Sequence, residues 1–143
     1  MTDTDYSHRS VVQKLGVKPD ERIEVSGDVG AELRRDLKEA LGRGLVKSGD
    51  LDGAIVLVES LAEAEEAFER YRPRLRETGY MWLFTRKRGH EGYVNQMLLV
   101  PPGKGRGLID NKTCSVDELR SAIRFVVPRA QRGGNGVTPG TVE

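Results

Sequence analysis

A chain of 143 residues is long enough for one domain with a buried core, and its composition, 37% hydrophobic and 31% charged, is that of an ordinary globular protein. The longest apolar runs, 54–58 and 97–100, fall far short of the roughly 20 residues that span a bilayer, and no leader segment is recognisable, so we expect a cytoplasmic protein without a membrane partner. The formal net charge is only +1, but residues 1–80 carry 13 Lys and Arg against 17 Asp and Glu, whereas residues 81–143 carry 10 against 5. The basic second half would attract an anionic partner, although such a patch is more typical of a solvated surface.

The chain predicts one folded domain between two polar ends. Residues 1–9 are expected to be flexible, a single α/β domain follows over 10–128, and 129–143 has almost no apolar residues and is predicted to be a disordered tail. A short helical pattern opens the domain and ends at Gly16, and a first strand is predicted at 23–25.

An amphipathic helix follows this first strand. Asp28 is predicted as its N-cap and Gly42 as its left-handed C-cap glycine, and between them apolar residues recur on one face at Val29, Leu33, Leu37 and Leu41. Leu45-Val46 is predicted as a short second strand. The unbroken apolar run 53–58 then suits a parallel strand that is covered on both faces.

A second helix begins at a capping box. In Ser60-Leu-Ala-Glu63 the serine hydroxyl and the glutamate carboxylate can each accept a hydrogen bond from an orphan main-chain amide, and the helix they start ends near Pro73. Residues 79–85 are predicted as another buried strand. This alternation of strands and helices favours a mostly parallel sheet with helices on both faces.

The last third of the domain is less regular. Residues 92–100 are predicted as a short helix and 101–107 as a flexible basic loop. Two strands, 108–116 and 122–127, are predicted to form an antiparallel hairpin at the edge of the sheet, with a helix over 116–123 as the alternative.

Four segments of this pattern are distinctive: Leu15-Gly-Val-Lys-Pro19, Trp82-Leu-Phe-Thr-Arg-Lys87, Gly107-Leu-Ile-Asp-Asn-Lys-Thr-Cys-Ser-Val-Asp-Glu118 and Ser121-Ala-Ile-Arg-Phe-Val126. They resemble the bacterial, largely actinobacterial family called domain of unknown function 3052, over about residues 10 to 128. That resemblance implies an architecture but no assigned reaction. The order of elements also looks like a shortened S-adenosylmethionine-dependent methyltransferase fold, which implies a small, degenerate Rossmann-like domain.

The chain departs from an active methyltransferase of that kind at the cofactor site. Such enzymes have an acidic-Gly-x-Gly-x-Gly turn after the first strand and a carboxylate after the second strand for the ribose hydroxyls. This chain has Glu24-Val-Ser-Gly-Asp-Val-Gly30 instead, with only Asp50 or Asp52 as substitutes for the second carboxylate. The segment between Val25 and Gly53 is also too short for the two strand–helix units that normally intervene. We therefore disfavour S-adenosylmethionine as a cofactor and predict no other.

Ligands of open α/β sheets bind at the carboxyl ends of the strands. The candidate cofactor-binding residues at those ends are Ser26, Gly27, Asp28, Glu59, Ser60 and Thr85. They could hold a small anion or a nucleotide-like ligand. The alternative, which we favour, is that Asp28 and Ser60 are helix caps and that Glu59 is solvated.

A second candidate set consists of cations that could contact an anion or a nucleic acid: Arg86, Lys87, Arg88, Lys104 and Arg106. Tyr93 could add base stacking. A solvent-exposed loop kept flexible by glycine is the favoured alternative, so nucleic-acid binding is not the preferred interpretation.

No catalytic constellation is evident. His8 and His90 have no metal-ligating residues at suitable spacing, so no metal site is predicted, and Cys114 has no identifiable activating base, so we expect an inert, partly buried thiol. We therefore predict a non-catalytic binding or regulatory module with a protein partner of unknown identity. A sensor or enzyme that takes a nucleotide or an S-adenosylmethionine-like ligand at the strand ends is the alternative, and weak nucleic-acid binding is the third interpretation.

Overall fold

Five strands form one sheet in the computed structural model of the chain, which describes residues 11–128. The elements are, in chain order, α1 (residues 11–15), β1 (Ile23–Ser26), α2 (Ala31–Leu41), β2 (Leu51–Leu57), α3 (Leu61–Tyr71), β3 (Leu75–Arg86), α4 (Val100–Gly105), β4 (Ile109–Ser115) and β5 (Arg120–Val126). The predicted flexible segment 1–9 and the predicted tail 129–143 lie outside the described residues.

The order of strands across the sheet is β1-β2-β3-β5-β4. β1, β2 and β3 are parallel, while β5 is antiparallel to both β3 and β4. This confirms the mostly parallel sheet and the C-terminal hairpin at its edge. The alternative helix over 116–123 is wrong, because the Asp117 carboxylate accepts hydrogen bonds from the N–H groups of Leu119 and Arg120, both at 2.8 Å, and so stabilises the hairpin turn.

Both faces of the sheet are covered, as the apolar runs of β2 and β3 predict. Tyr80, Trp82 and Phe84 point to the α2 side, whereas Met81 and Leu83 point to the α3 side, since successive side chains of a strand alternate between faces. Each of the two resulting cores consists of the helices on one face and the strand side chains that point to that face. This two-sided burial leaves only the edges and the ends of the sheet available for a site.

Two segments between the main elements differ from their predictions. Leu45-Val46 is not a strand; its single contact of strand type is the hydrogen bond from Val46 N–H to the Ile23 carbonyl at 2.9 Å. In the predicted helix 92–100, residues 92–95 are not helical, Gln96–Leu99 form a 3-10 turn, and Val100 is the first residue of α4.

The predicted flexible loop 101–107 is also wrong, because most of it belongs to α4. Proline is tolerated in the first helical turn, where a missing N–H leaves nothing unsatisfied. Gly103 then lets this short helix approach the core, since a Cβ there would lie 2.7 Å from the Phe125 ring. Tertiary contact with β5 therefore orders a glycine-rich segment that local propensity places in a loop.

The helix ends are mostly as predicted. Gly42 is a left-handed C-cap with φ of 69°, and Ser60 caps α3 by accepting from Glu63 N–H at 3.1 Å. The prediction of Asp28 as N-cap is wrong: the N-cap of α2 is Gly30, two residues later, and the Asp28 carboxylate instead accepts from Gly30 N–H at 3.2 Å.

Tyr80 gives the fold a predicted sensitivity to alkaline pH. Its hydroxyl donates a hydrogen bond to the Glu21 carboxylate at 2.8 Å, and burial, with the nearby Glu21 charge, raises the pKa of the Tyr80 phenol. The stabilisation linked to Tyr80 is therefore complete below about pH 10, where unfolded tyrosine ionises, and decreases above it. We expect the urea midpoint of the wild type to fall more steeply above about pH 10 than that of Tyr80→Phe. Equal slopes, or a similar flattening in the half-exposed control Tyr93→Phe, would contradict this.

Candidate functional site

The carboxyl ends of the parallel strands β1, β2 and β3 lie at the same end of the sheet. The antiparallel hairpin brings the start of β5 and the end of β4 to this end, because Arg86 pairs with Arg120 and Ser115 pairs with Ser121. Most of the residues predicted at the strand ends are therefore brought to one side of the domain.

The turn after β1 depends on two glycines with positive φ. Gly27 has φ of 88°, and a Cβ there would lie 2.9 Å from the Leu57 Cβ, so only glycine lets β1 approach β2 at this point. Gly30 has φ of 99° and lies against the Arg120 guanidinium, 3.6 Å from the position of a Cβ. The glycines of Glu24–Gly30 thus serve the packing of the turn itself.

Arg120 holds that turn from across the sheet. Its side chain is only 8% exposed; Nε donates to the Asp28 carbonyl at 2.8 Å, and the guanidinium pairs with the carboxylates of Asp28 at 3.2 Å and Asp117 at 2.6 Å. The Arg120 charge holds the pKa of the Asp28 carboxyl below its usual range. Arg120 is not among the residues predicted from the sequence; its signal there is a cation at the start of β5, three residues after Asp117.

Arg86, at the end of β3, joins the same network. Its Nε donates to Glu59 at 3.1 Å, and its terminal nitrogen lies 3.7 Å from the Asp28 carboxylate. Arg86 is mostly buried, with 18% of its side chain exposed, whereas the carboxylates on either side are open to solvent. One fixed guanidinium therefore stands between two accessible negative charges.

A cleft of about 520 Å³ opens beside Arg86, and we call it the strand-end cleft. Its lining residues are Glu59, Arg86, His90, Glu91, Gly92 and Leu119. These residues carry two carboxylates, one guanidinium and one imidazole, and they include no serine, threonine or cysteine. The arrangement can bind a ligand that bears both charges, and it offers no hydroxyl or thiol nucleophile.

The other strand-end candidates do not line this cleft. Ser60 is used as the α3 cap, and the Thr85 hydroxyl is buried and accepts from Gln96 at 3.0 Å. Ser26, the last residue of β1, lines two other cavities. Of the six predicted residues, Glu59 lines the cleft and Asp28 reaches it through Arg86.

The predicted cationic cluster is divided between the two ends of the sheet. Arg86, Lys87 and Arg88 follow the carboxyl end of β3, where Lys87 donates to Ser115 at 2.8 Å and Arg88 stacks over the Tyr93 ring at 5.7 Å. Lys104 and Arg106 precede β4. The first residue of β4 is level with Tyr80 in the sheet, and Tyr80 lies about 20 Å from Arg86 along β3. Because Arg106 is also paired with Glu69 at 2.7 Å, the five cations do not form one surface.

Other titratable groups add little to the site. Cys114 is half-buried, and burial raises the pKa of its thiol, which disfavours the reactive thiolate. Over residues 11–128, no group of three or more His, Cys, Asp and Glu side chains is placed to hold a metal ion. In the same range, no helix has the length and apolar character needed to cross a membrane.

No family model and no curated protein matches the chain, so its resemblance to domain of unknown function 3052 stays a prediction. Solved structures do match it. Precorrin-6y C5,15-methyltransferase from Geobacter metallireducens GS-15 shares 12% identity at a TM-score of 0.62, with 85% of this chain and 86% of that chain covered. A SAM dependent methyltransferase from Aquifex aeolicus shares 11% identity at a TM-score of 0.59, with 85% and 89% covered.

A third match corrects the cofactor prediction. Aeropyrum pernix fibrillarin, with natively bound S-adenosyl-L-methionine, shares 16% identity at a TM-score of 0.53, with 84% of this chain and 76% of that chain covered. The prediction that disfavours S-adenosylmethionine is therefore wrong, since proteins whose fold matches over most of this chain hold or use that cofactor. At these identities the likeness establishes architecture: the chain has a Rossmann-like α/β fold of the kind found in S-adenosylmethionine-dependent methyltransferases.

Proposed function

We propose that this domain is a small-ligand sensor that binds a molecule of the S-adenosylmethionine class in the strand-end cleft. The observation that carries the proposal is the position of Arg86 between Glu59 and Asp28 in the network beside the cleft. The volume of about 520 Å³ is within the range of pockets that hold ligands of this size. The shared fold supports the same ligand class.

The charges suit the amino-acid end of such a ligand. The Arg86 guanidinium would receive the ligand carboxylate, and the exposed Glu59 carboxylate would receive its ammonium group. The lining has one more carboxylate than guanidinium, so a ligand with a net positive charge is favoured. S-adenosylmethionine, which carries a sulfonium, should bind more tightly than its neutral demethylated product.

The described residues support binding of this ligand and supply no site for methyl transfer. When bound, S-adenosylmethionine supplies an activated methyl group, but no acceptor site is identified beside the cleft. β1 is the edge strand of the sheet, so within residues 11–128 no further strand lies beside it to provide a ribose-binding carboxylate. A sensor responds to whether its ligand is bound. In this chain the side chains that would contact the ligand, and so differ between the occupied and the empty cleft, are Arg86 and Glu59.

The test is isothermal titration of the full chain with S-adenosylmethionine and S-adenosylhomocysteine. We expect saturable binding of both ligands, with S-adenosylmethionine bound more tightly. The Kd for S-adenosylmethionine should be about 10-fold higher in Glu59→Gln, because one charged contact is lost. Glu77→Gln is the matched control, since this exposed carboxylate lies near the opposite end of β3. Absence of binding at millimolar ligand, or equal weakening by Glu77→Gln, would exclude the strand-end cleft as the site.

A protein partner is the second candidate, and exposed apolar side chains favour it. Met97 is 73% exposed and Leu98 is 55% exposed, next to the half-exposed Tyr93. Such side chains are typical of contact surfaces when they cluster. This role would be supported by a partner protein that binds the wild type and does not bind an equally folded Met97→Asp variant. Binding of the partner to both proteins would argue against it.

A further inference from the structure

The outer edge of β1 faces away from the sheet. The Arg22 carbonyl accepts from Asp52 N–H at 2.9 Å on the β2 side, whereas the next carbonyl, of Ile23, accepts from Val46 N–H at 2.9 Å on the outer side. Main-chain groups of successive strand residues point to opposite sides, so Val25 also directs its N–H and C=O outward. The edge of the sheet beyond Ile23 therefore has main-chain groups available to a ligand.

A cavity of about 500 Å³ lies along this edge, and we call it the β1-edge cleft. Besides β1, its lining comes from α2, from the end of α3 and from residues 44–47. Its charged lining residues are Glu24, Arg34, Lys38, Lys47 and Arg70. Three separate elements thus contribute four cations to one cavity.

The single carboxylate of the β1-edge cleft is already compensated. Glu24 lies 2.9 Å from the Arg74 guanidinium and accepts from the Tyr71 hydroxyl at 3.2 Å. Glu24 and Arg74 are mostly buried, so this pair is a fixed part of the wall. Because Arg74 neutralises Glu24, the carboxylate of Glu24 does not neutralise the four cations that line the cleft.

Three of the four cations, Arg34, Lys38 and Lys47, have no acidic partner within residues 11–128. Arg34 is held by the Gly27 carbonyl at 2.8 Å, and Arg70 has a weak, exposed pair with Glu66 at 3.7 Å. Lys38 and Lys47 make no ion pair within residues 11–128. Unpaired lysines converging on a concave, nucleotide-sized space are the chemistry of a phosphate site.

We propose that the β1-edge cleft binds a phosphate-bearing small molecule of nucleotide size, of the nucleoside diphosphate or triphosphate class. Lys38, Lys47 and Arg34 contact the phosphates, and the outward N–H of Val25 adds a main-chain donor. This site is independent of the strand-end cleft, whose lining has the opposite charge balance and lies at the carboxyl ends of β2 and β3.

The test is titration of the full chain with ADP, pyrophosphate and adenosine at low salt. ADP and pyrophosphate should bind and adenosine should not, because the phosphates supply the recognition. Lys38→Ala/Lys47→Ala should weaken ADP binding at least 10-fold. The charge-matched control Lys104→Ala/Lys112→Ala, whose residues do not line the β1-edge cleft, should leave ADP binding unchanged. Thermal melts of both variants verify that each is folded.

Several results would overturn the proposal. These are no binding of ADP or pyrophosphate at millimolar concentration, equal weakening by the two double variants, or binding of adenosine as tight as that of ADP. Binding of a single-stranded oligonucleotide without any binding of ADP would assign the cations to nucleic acid instead. Glu59→Gln separates this site from the sensor site, since it should weaken S-adenosylmethionine and leave ADP unaffected.

Discussion

Replacing Trp82 by alanine should lower the free energy of unfolding by about 3–5 kcal/mol, the usual cost of truncating a large buried aromatic residue. Trp82 is fully buried at the centre of the α2-side core. Its indole N–H donates to the Leu15 carbonyl at 2.8 Å, which joins β3 to the end of α1. The substitution removes the ring volume and also leaves that carbonyl without its donor.

Urea denaturation followed by far-UV circular dichroism measures this loss, since Trp82 is the only tryptophan and its fluorescence disappears in the variant. Trp82→Phe should lie between the wild type and the alanine variant, because it keeps part of the volume and loses the hydrogen bond. Met97→Ala, at an exposed position, should change stability by less than about 0.5 kcal/mol. A Trp82→Ala loss no larger than that of Met97→Ala would show that the α2-side core is not packed as described.

Replacing Arg120 by methionine should destabilise the domain by about 2 kcal/mol. The variant loses the hydrogen bond to the Asp28 carbonyl and the ion pairs to Asp28 and Asp117. Hydrogen bonds to charged groups contribute about 1.5–3 kcal/mol each, but the exposed Asp28 side chain is screened by solvent, so the contributions do not simply add. The turn after β1 should also become mobile, and with it one end of the network that holds Arg86.

The pH dependence separates this effect from a general packing loss. Arg120 holds the pKa of Asp28 below its unfolded value of 3.8, so the stabilisation is complete above that value and is lost as the pH falls through the folded pKa. Urea midpoints measured from about pH 2 to 6 should therefore depend less steeply on pH in Arg120→Met, and Asp28→Asn should show a similar flattening. An unchanged profile in both variants would mean that this ion pair does not contribute to stability.

The ion-pair network beside the strand-end cleft could be predicted from the sequence only in part. Glu59, Asp28 and Arg86 could be placed at the strand ends because apolar runs predict strands and parallel strands end at one edge. Arg120 could not, because its role depends on the antiparallel return of β5 beside β3, a pairing between residues far apart in the chain. The two groups of cations, 86–88 and 104–106, lie at opposite ends of the sheet because the length of β4 and β5 separates them, a separation that depends on strand pairing.

Local sequence signals determined much of the architecture of this protein: the apolar runs of β2 and β3, the Ser60 cap, the Gly42 C-cap and the hairpin of β4 and β5 are all readable in the chain. These signals are short-range, since capping and strand alternation involve neighbours within a few residues. Tertiary structure alone decided that 100–105 is helical, that Arg120 anchors the turn after β1, and that cations from an acidic half of the chain converge beside its edge strand. The physical reason is that these features arise from contacts between distant segments, whose energies depend on packing and register and leave no periodic trace in the sequence.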